Sequence, residues 1–167
     1  MASIIFRFQV PIRGGPDMRP AYSGAYTNAA GQLLYRDGVV ENWASQSGGR
    51  MDATFIDRKG NRIELPGVNI SPLWTQHNAG FTMATGNIYL DPANGLVDVE
   101  HEYGHYLDQQ ANGTLYYIFK VMPLSFINAT FHGDTHQFYW TEIAADRQAI
   151  QFFEPNSAIA KSSYYPH

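Results

Sequence analysis

Residues 94–113 read NGLVDVEHEYGHYLDQQANG and predict the central helix of the chain. Apolar side chains recur in them at helical spacing, at positions 96, 97, 99, 103, 106 and 107. Asn112-Gly113 is a typical helix stop signal, so we expect the helix to run from Asn94 to Ala111. Its middle carries the pattern His-Glu-x-x-His at residues 101–105.

The His-Glu-x-x-His pattern predicts a metal site on one face of this helix. Helix positions four residues apart lie on the same face, so His101 and His105 can aim both imidazoles at one point. Zinc, bound at about 2.0–2.1 Å from each ring nitrogen, is the metal that such a pair favours. Glu102 lies beside that face, where its carboxylate can take a proton from water on the metal. The competing interpretation is two ordinary histidines on a helix.

A catalytic zinc site needs a third protein ligand and one open position. The metzincin extension of the motif would place Gly at 108 and His at 111, but the chain has Asp108 and Ala111, so that class is excluded. A pattern Glu-x-x-x-Asp further along the chain is the better candidate. We expect Glu142 to bind the metal and Asp146, one turn later, to accept a hydrogen bond from a ligand histidine. The alternative third ligands are Asp108, His132, Asp134 and His136.

Two further helices are expected after the motif. Leu115 to Phe126 is strongly apolar, which predicts a core helix that Pro123 kinks or ends. Apolar residues at helical spacing predict a third helix from His136 to Glu154, closed by Pro155. This third helix carries the Glu-x-x-x-Asp pattern.

Residues 1–93 show a different sequence pattern, in which short runs of alternating apolar and polar residues lie between Gly and Pro residues. One such run is Ile4-Phe6-Phe8-Val10. The segment Phe55 to Ile63 predicts a hairpin with its turn at Lys59-Gly60-Asn61. Phe81 to Leu90 predicts a further strand or hairpin, bent at Gly86-Asn87. These runs predict a small, twisted, mostly antiparallel sheet with long loops.

The order of sheet first and helices second indicates an α+β fold. A length of 167 residues and a mass of 18.8 kDa suit one domain spanning residues 1–167. In it, residues 1–93 are expected to form mainly sheet and loops, and residues 94–155 the helical catalytic part. A hydrophobic fraction of 44% supplies a packed core and argues against intrinsic disorder.

Composition and charge exclude several function classes. A net charge of −4 and a pI near 5.8 provide no basic surface for nucleic acid or an anionic membrane, so neither is an expected partner. The chain has 0 cysteines, which excludes thiolate catalysis and every Cys-based metal site. No apolar run approaches the about 20 residues that span a bilayer, and the first ten residues are not typical of a signal peptide. These features leave the compartment open between the cytoplasm and export by a route that needs no signal peptide.

The layout of His-Glu-x-x-His, a helix and Glu-x-x-x-Asp resembles the gluzincin branch of zinc metallopeptidases, the group that includes thermolysin. A closer resemblance covers residues 81–153, where the chain is similar to metallopeptidase-like domains of bacterial polymorphic and Rhs-type toxin proteins. The segments that carry it are FTMATGNI at 81–88, HEYGHYL at 101–107 and HQFYWTEIAADR at 136–147. The resemblance implies a zincin-like fold with zinc ligands His101, His105 and Glu142. It also implies Glu102 as general base and Asp146 as the partner of a ligand histidine.

The resemblance further implies a His or Tyr that donates a hydrogen bond to the oxyanion of the tetrahedral intermediate. No motif fixes this donor; we favour His136, which lies just ahead of the Glu142 helix, with Tyr139 as the weaker alternative. His132 and Tyr103 are further candidates. A strand edge beside the metal is implied as the site that holds the substrate backbone, and the strand around Phe81 to Leu90 is the expected edge.

The motif predicts a zinc site with Glu102 as general base, and the resemblance implies a zinc-dependent endopeptidase that hydrolyses peptide or protein substrates. The resemblance to toxin domains implies a toxin effector role, with an inhibitor or immunity protein or a larger parent chain as partner. The alternative is a catalytically inactive, zinc-stabilised binding or structural module of a larger secreted or toxin system. The complete motif argues against that alternative, because a purely structural site does not need Glu102.

Overall fold

The computed structural model describes residues 27–43, 52–73 and 79–165. In these residues strands come first and helices follow, which confirms the expected α+β class. The predicted run from Ile4 to Val10 lies outside the described residues. The elements below are those that position the candidate site.

The first sheet has four antiparallel strands in the order β1-β2-β3-β4. Their bounds are Leu33–Tyr35 for β1, Gly38–Glu41 for β2, Asp52–Asp57 for β3 and Arg62–Pro66 for β4. The predicted hairpin is confirmed, because Phe55 of β3 pairs with Ile63 of β4. Its turn is fixed by the Asp57 carboxylate, which accepts the backbone N–H groups of Lys59 and Asn61. The β1–β2 hairpin was not predicted.

A second sheet of three strands has the order β5-β7-β6. Its strands are Asn69–Pro72 for β5, Gly80–Thr82 for β6 and Asn87–Leu90 for β7. The antiparallel pair β6–β7 confirms the predicted hairpin, whose bend is closed by the Met83 N–H donating to the Asn87 carbonyl at 2.8 Å. Strands β5 and β7 are parallel. The strands therefore form two small sheets rather than the single one that was expected.

Helix α1, Leu96–Asn112, confirms the helix predicted around the motif. Its first turn is capped from the β1–β2 turn, because the Asp37 carboxylate accepts the Leu96 N–H at 2.9 Å. Asp98 accepts the Gly95 N–H at 2.8 Å. At the other end, Gly113 adopts φ +94 and ends the helix as the sequence predicts.

The hydrophobic core lies between the two sheets and one side of α1. Helix α1 contributes Val99 and Tyr103, both of which are buried. The other buried members of this cluster are Leu33, Tyr35, Val40, Ala53, Phe55, Leu65, Val68, Ile70, Ile88 and Leu90. One side of α1 is thereby fixed to the sheets, which leaves its histidine-bearing side for the fourth helix.

The prediction of a core helix over Leu115 to Phe126 is wrong in burial and in length. The chain is helical through Thr114–Tyr116 (α2), a π-helical turn Tyr117–Val121, and Met122–Phe131 (α3). Pro123 does not end the helical segment; it lies in the first turn of α3, directly after the π-helical turn. Helix α3 has no buried residue among those described, and Phe119 is 77% exposed.

Helix α4, Trp140–Phe153, begins later than the predicted His136. A 3-10 turn at Gly133–Phe138 precedes it, and Tyr139 is extended at φ −73 and ψ 148, so the α-helix starts only at Trp140. A short 3-10 turn at Ile159–Lys161 follows. Within the described ranges, no helix has both the length and the apolar character needed to cross a bilayer.

Candidate metal centre

Two helices bring the candidate ligands together. Helix α1 presents His101 and His105 from one face, and α4 presents Glu142 and Asp146 from two successive turns. Gly104 allows this close packing, because a Cβ at that position would overlap the backbone carbonyl of Ala145 on α4. The fourth position of the motif, Gly104, is therefore a contact point between the two helices that hold the site.

His101, His105 and Glu142 form a buried group whose ligand atoms all lie within 4.8 Å of one another. The Oε2 atom of Glu142 is 3.2 Å from Nε2 of His101 and 3.1 Å from Nε2 of His105. Two imidazoles and one carboxylate converging in this way could hold a metal ion. The structure thus places the three predicted ligands in one group.

The hydrogen bonds of the two ring nitrogens of His101 indicate that a cation binds between His101 and Glu142. Its Nδ1 lies 2.7 Å from Oδ1 of Asp146, so Nδ1–H donates to that carboxylate. In the neutral ring the lone pair is then on Nε2, facing the Glu142 carboxylate. Two lone pairs in contact repel, so a proton or a metal cation must lie between them. The donor set fits a metal on this ground.

The pKa shifts of His101 and Glu142 also indicate that the site favours a cation. Burial alone would lower the pKa of His101, but the hydrogen bond and charge of Asp146, together with Glu142, hold it well above its usual value. Burial would raise the pKa of Glu142, but His105 and His101 hold it well below its usual value. The group therefore keeps a carboxylate anion and attracts a cation.

The second oxygen of Glu142 is held by hydroxyl groups. Its Oε1 accepts hydrogen bonds from Thr141 at 2.7 Å and from Ser125 of α3 at 2.8 Å. These two bonds orient the carboxylate so that Oε2 faces both histidines. The helix that the sequence placed in the core thus reaches the site through Ser125 instead.

Glu102 lies in the same cavity but outside the ligand group. Its Oε2 is 2.8 Å from the Thr82 hydroxyl, which also lies 2.8 Å from the Glu102 backbone carbonyl. A Cβ at Gly80 would come within 2.7 Å of Oε1, so the glycine makes room for the carboxylate beside β6. Burial raises the pKa of Glu102, and the charges of His105 and His101 oppose that rise. A carboxyl group with a raised pKa is suited to accept and release a proton.

A cavity of about 740 Å³ opens at the ligand group. Among the described strands, β6 lies at one edge of its sheet, and it lines the cavity with Gly80, Phe81 and Thr82. The Thr82 carbonyl faces away from β7 and accepts the Tyr117 hydroxyl at 3.1 Å. Alternate residues of an antiparallel strand face the same way, so the backbone of Gly80 also faces away from β7. The strand predicted to hold substrate therefore lies beside the metal ligands.

His136, the favoured oxyanion donor, lies in the cavity wall. Its Nε2 is 3.5 Å from Oε2 of Glu142, and its Nδ1 is 2.9 Å from the side-chain oxygen of Asn128. Burial lowers its pKa, and the charge of Glu142 opposes this. The structure therefore brings His136 to the ligand group at a longer distance than either histidine of α1.

The remaining candidates lie elsewhere. Tyr139 caps α4 and packs against Trp140, outside the residues that line the cavity. Tyr103 is buried in the core and donates to the Pro66 carbonyl at 3.0 Å. The alternative third ligands His132, Asp134 and Asp108 are not members of the ligand group; the first two are exposed, and Asp108 accepts a hydrogen bond from Asn112.

Four polar side chains at the site were not predicted from the sequence. They are Thr82 on Glu102, Ser125 on Glu142, Tyr117 on β6, and Tyr165, which stacks on His101. Single hydroxyl groups have no spacing rule that ties them to a distant motif. A serine within a strongly apolar segment is the signal that could have identified Ser125.

Comparisons of the chain with models of known protein families, with curated proteins and with solved structures give no match.

Proposed function

We propose that this chain is a zinc-dependent peptidase of the gluzincin kind. The observation that carries the proposal is the convergence of His101, His105 and Glu142 on one point, with Glu102 in the same cavity. Two imidazoles, one carboxylate and no sulfur ligand are the donor set that a catalytic zinc uses. Asp146 supplies the hydrogen bond that such a ligand histidine normally makes.

In the proposed reaction, Glu102, His136 and strand β6 each have a distinct role. Bound zinc would supply Lewis-acid chemistry, polarising a peptide carbonyl and making water acidic. Glu102 accepts the proton of the attacking water and passes it to the leaving amine, which its raised pKa favours. In its doubly protonated form, with Nδ1–H on Asn128, His136 donates from Nε2 to the developing oxyanion. The outward backbone of Gly80 in β6 pairs with the substrate chain, since the Thr82 carbonyl is bonded to Tyr117.

Burial of the three ligands also strengthens the electrostatic interactions that the proposed reaction uses. His101, His105 and Glu142 are all buried, and a cavity of about 740 Å³ lies beside them. A low-dielectric setting strengthens the interactions of charged groups with developing charge. The site thus combines fixed ligands with an adjoining cavity, which is where we propose that the substrate binds.

The experiment combines metal content with a broad peptide-library cleavage assay read by mass spectrometry. We expect about one zinc per chain and cleavage by the wild-type protein. Glu102→Gln should keep the zinc and lose hydrolysis, because it retains the shape of the side chain but not the base. Glu154→Gln is the matched control, since Glu154 is exposed at the end of α4.

The other outcomes separate the alternatives. A wild-type protein that binds zinc but cleaves nothing in the library would overturn the peptidase and favour the zinc-stabilised binding module. A wild-type protein that binds no zinc would overturn the metal site. Undiminished cleavage by Glu102→Gln would remove Glu102 from the mechanism.

A further inference from the structure

The last described segment of the chain is anchored to helix α1 directly before the first ligand. The carboxylate of Glu100 accepts the N–H groups of Ala158 and Ile159 at 2.7 and 3.0 Å and the Ser157 hydroxyl at 3.1 Å. Glu100 is only 2% exposed, so these bonds replace water at a buried charge. The residues after this anchor therefore pass close to His101.

Tyr165 ends this segment on the ring of His101. The two rings are stacked, with centroids 4.7 Å apart and an interplanar angle of 24°. The Tyr165 hydroxyl donates to Oδ1 of Asp98 at 3.0 Å. A phenol is protonated at neutral pH, so this hydrogen bond to Asp98 fixes the Tyr165 ring over His101.

His101 is consequently held on three sides. Asp146 fixes the Nδ1 edge, the ring of His105 meets it edge-on at 4.9 Å, and Tyr165 covers one face. A fixed ring loses less rotational freedom when it binds a metal, so less affinity is spent on ordering it. The electron-rich face of a tyrosine also stabilises an imidazole that shares the positive charge of a cation.

We infer that Tyr165 is a positioning residue that raises the affinity of the site for its metal by holding the ring of His101. The inference rests on the metal site proposed above. Asp98 contributes by fixing the Tyr165 hydroxyl, and it also takes the Gly95 N–H at the start of α1. These contacts thereby connect the last described segment of the chain to the start of α1 and to His101.

The test measures the zinc dissociation constant by competition with a chromophoric chelator, with the absorption spectrum of the Co²⁺-loaded protein as a second readout. Removing a group that orients a ligand typically costs 10- to 100-fold in metal affinity. We expect Tyr165→Ala to weaken binding about tenfold and to alter the Co²⁺ spectrum. Tyr165→Phe keeps the stacked ring and should stay within about threefold of the wild type.

Tyr106→Ala is the control, because Tyr106 packs on Tyr103 at 5.6 Å in the core beside the sheets. It should lower stability and leave the zinc dissociation constant unchanged. Equal zinc affinity for Tyr165→Ala and the wild type would overturn the inference and leave the metal site standing. A wild-type protein without zinc affinity would overturn the metal site and the inference together.

Discussion

The Nδ1 atom of His101 lies 2.7 Å from Oδ1 of Asp146, a fully buried carboxylate one turn beyond Glu142 on α4. The other oxygen of Asp146 is buried and has no hydrogen-bond partner among the described residues. A buried carboxylate is costly unless it is paired, so its interaction with His101 is what compensates for that cost. Asp146 therefore acts on the site through a single ligand.

Asp146→Asn is predicted to weaken zinc binding about 10-fold or more. The amide preserves the shape of the side chain but carries no charge to stabilise the Nδ1–H of His101. The measurement is the zinc dissociation constant, with Asp134→Asn as control because Asp134 is exposed on the preceding 3-10 turn. If Asp146→Asn and Asp134→Asn both bound zinc as tightly as the wild type, Asp146 would have no role in orienting His101 for the metal.

Gly104→Ala is predicted to destabilise the protein by about 1–3 kcal/mol, because the added methyl group would overlap the Ala145 carbonyl and push α4 from α1. Zinc affinity should fall with it, since Glu142 is on the displaced helix. Chemical denaturation and zinc titration check the two effects. Gln110→Ala, an exposed position on α1, should change stability by less than about 0.5 kcal/mol.

Thr82→Val is predicted to reduce peptide hydrolysis about tenfold while zinc content stays unchanged. The substitution keeps the shape of the side chain and removes the hydroxyl beside the Glu102 carboxylate, and a hydrogen bond to a charged group contributes about 1.5–3 kcal/mol. Thr82→Ser restores the hydroxyl and should restore most of the rate. Loss of zinc in Thr82→Val would instead indicate a structural role for this residue.

The ligand group could be predicted from the sequence because its spacing follows from helix geometry. His101 and His105 are four apart within one helix, as are Glu142 and Asp146, and each pair can be recognised locally. The structure shows the predicted three ligands in one buried group. The coarse α+β order was predictable for a similar reason, since strand and helix periods differ within short windows.

What the sequence did not predict depends on contacts between distant parts of the chain. Asp37 caps α1 from 59 positions away, and Tyr165 reaches His101 from the last described turn. Neither residue belongs to a local pattern. The division into two sheets was also missed, because strand partners are chosen by the packed core rather than by the alternation within one strand.

Burial of the helix from Thr114 to Phe131 could not be predicted from its composition. Its apolar residues predicted a buried helix, but most of them are not buried in the structure. Only two positions in its π-helical turn, Tyr117 and Val121, are buried, while Leu115 and Phe119 are 71% and 77% exposed. Periodicity alone cannot distinguish the buried from the exposed side when most positions are apolar.

This difference yields a direct stability prediction. Val121→Ala, at a position that is 1% exposed, should cost about 1–3 kcal/mol, because it removes two buried methyl groups. Phe119→Ala, a larger truncation two residues earlier, should change stability by less than about 0.5 kcal/mol, because the ring already lies in water. Denaturant unfolding of both variants gives the comparison. A cost for Phe119→Ala equal to that for Val121→Ala would mean that this face is covered in the folded protein.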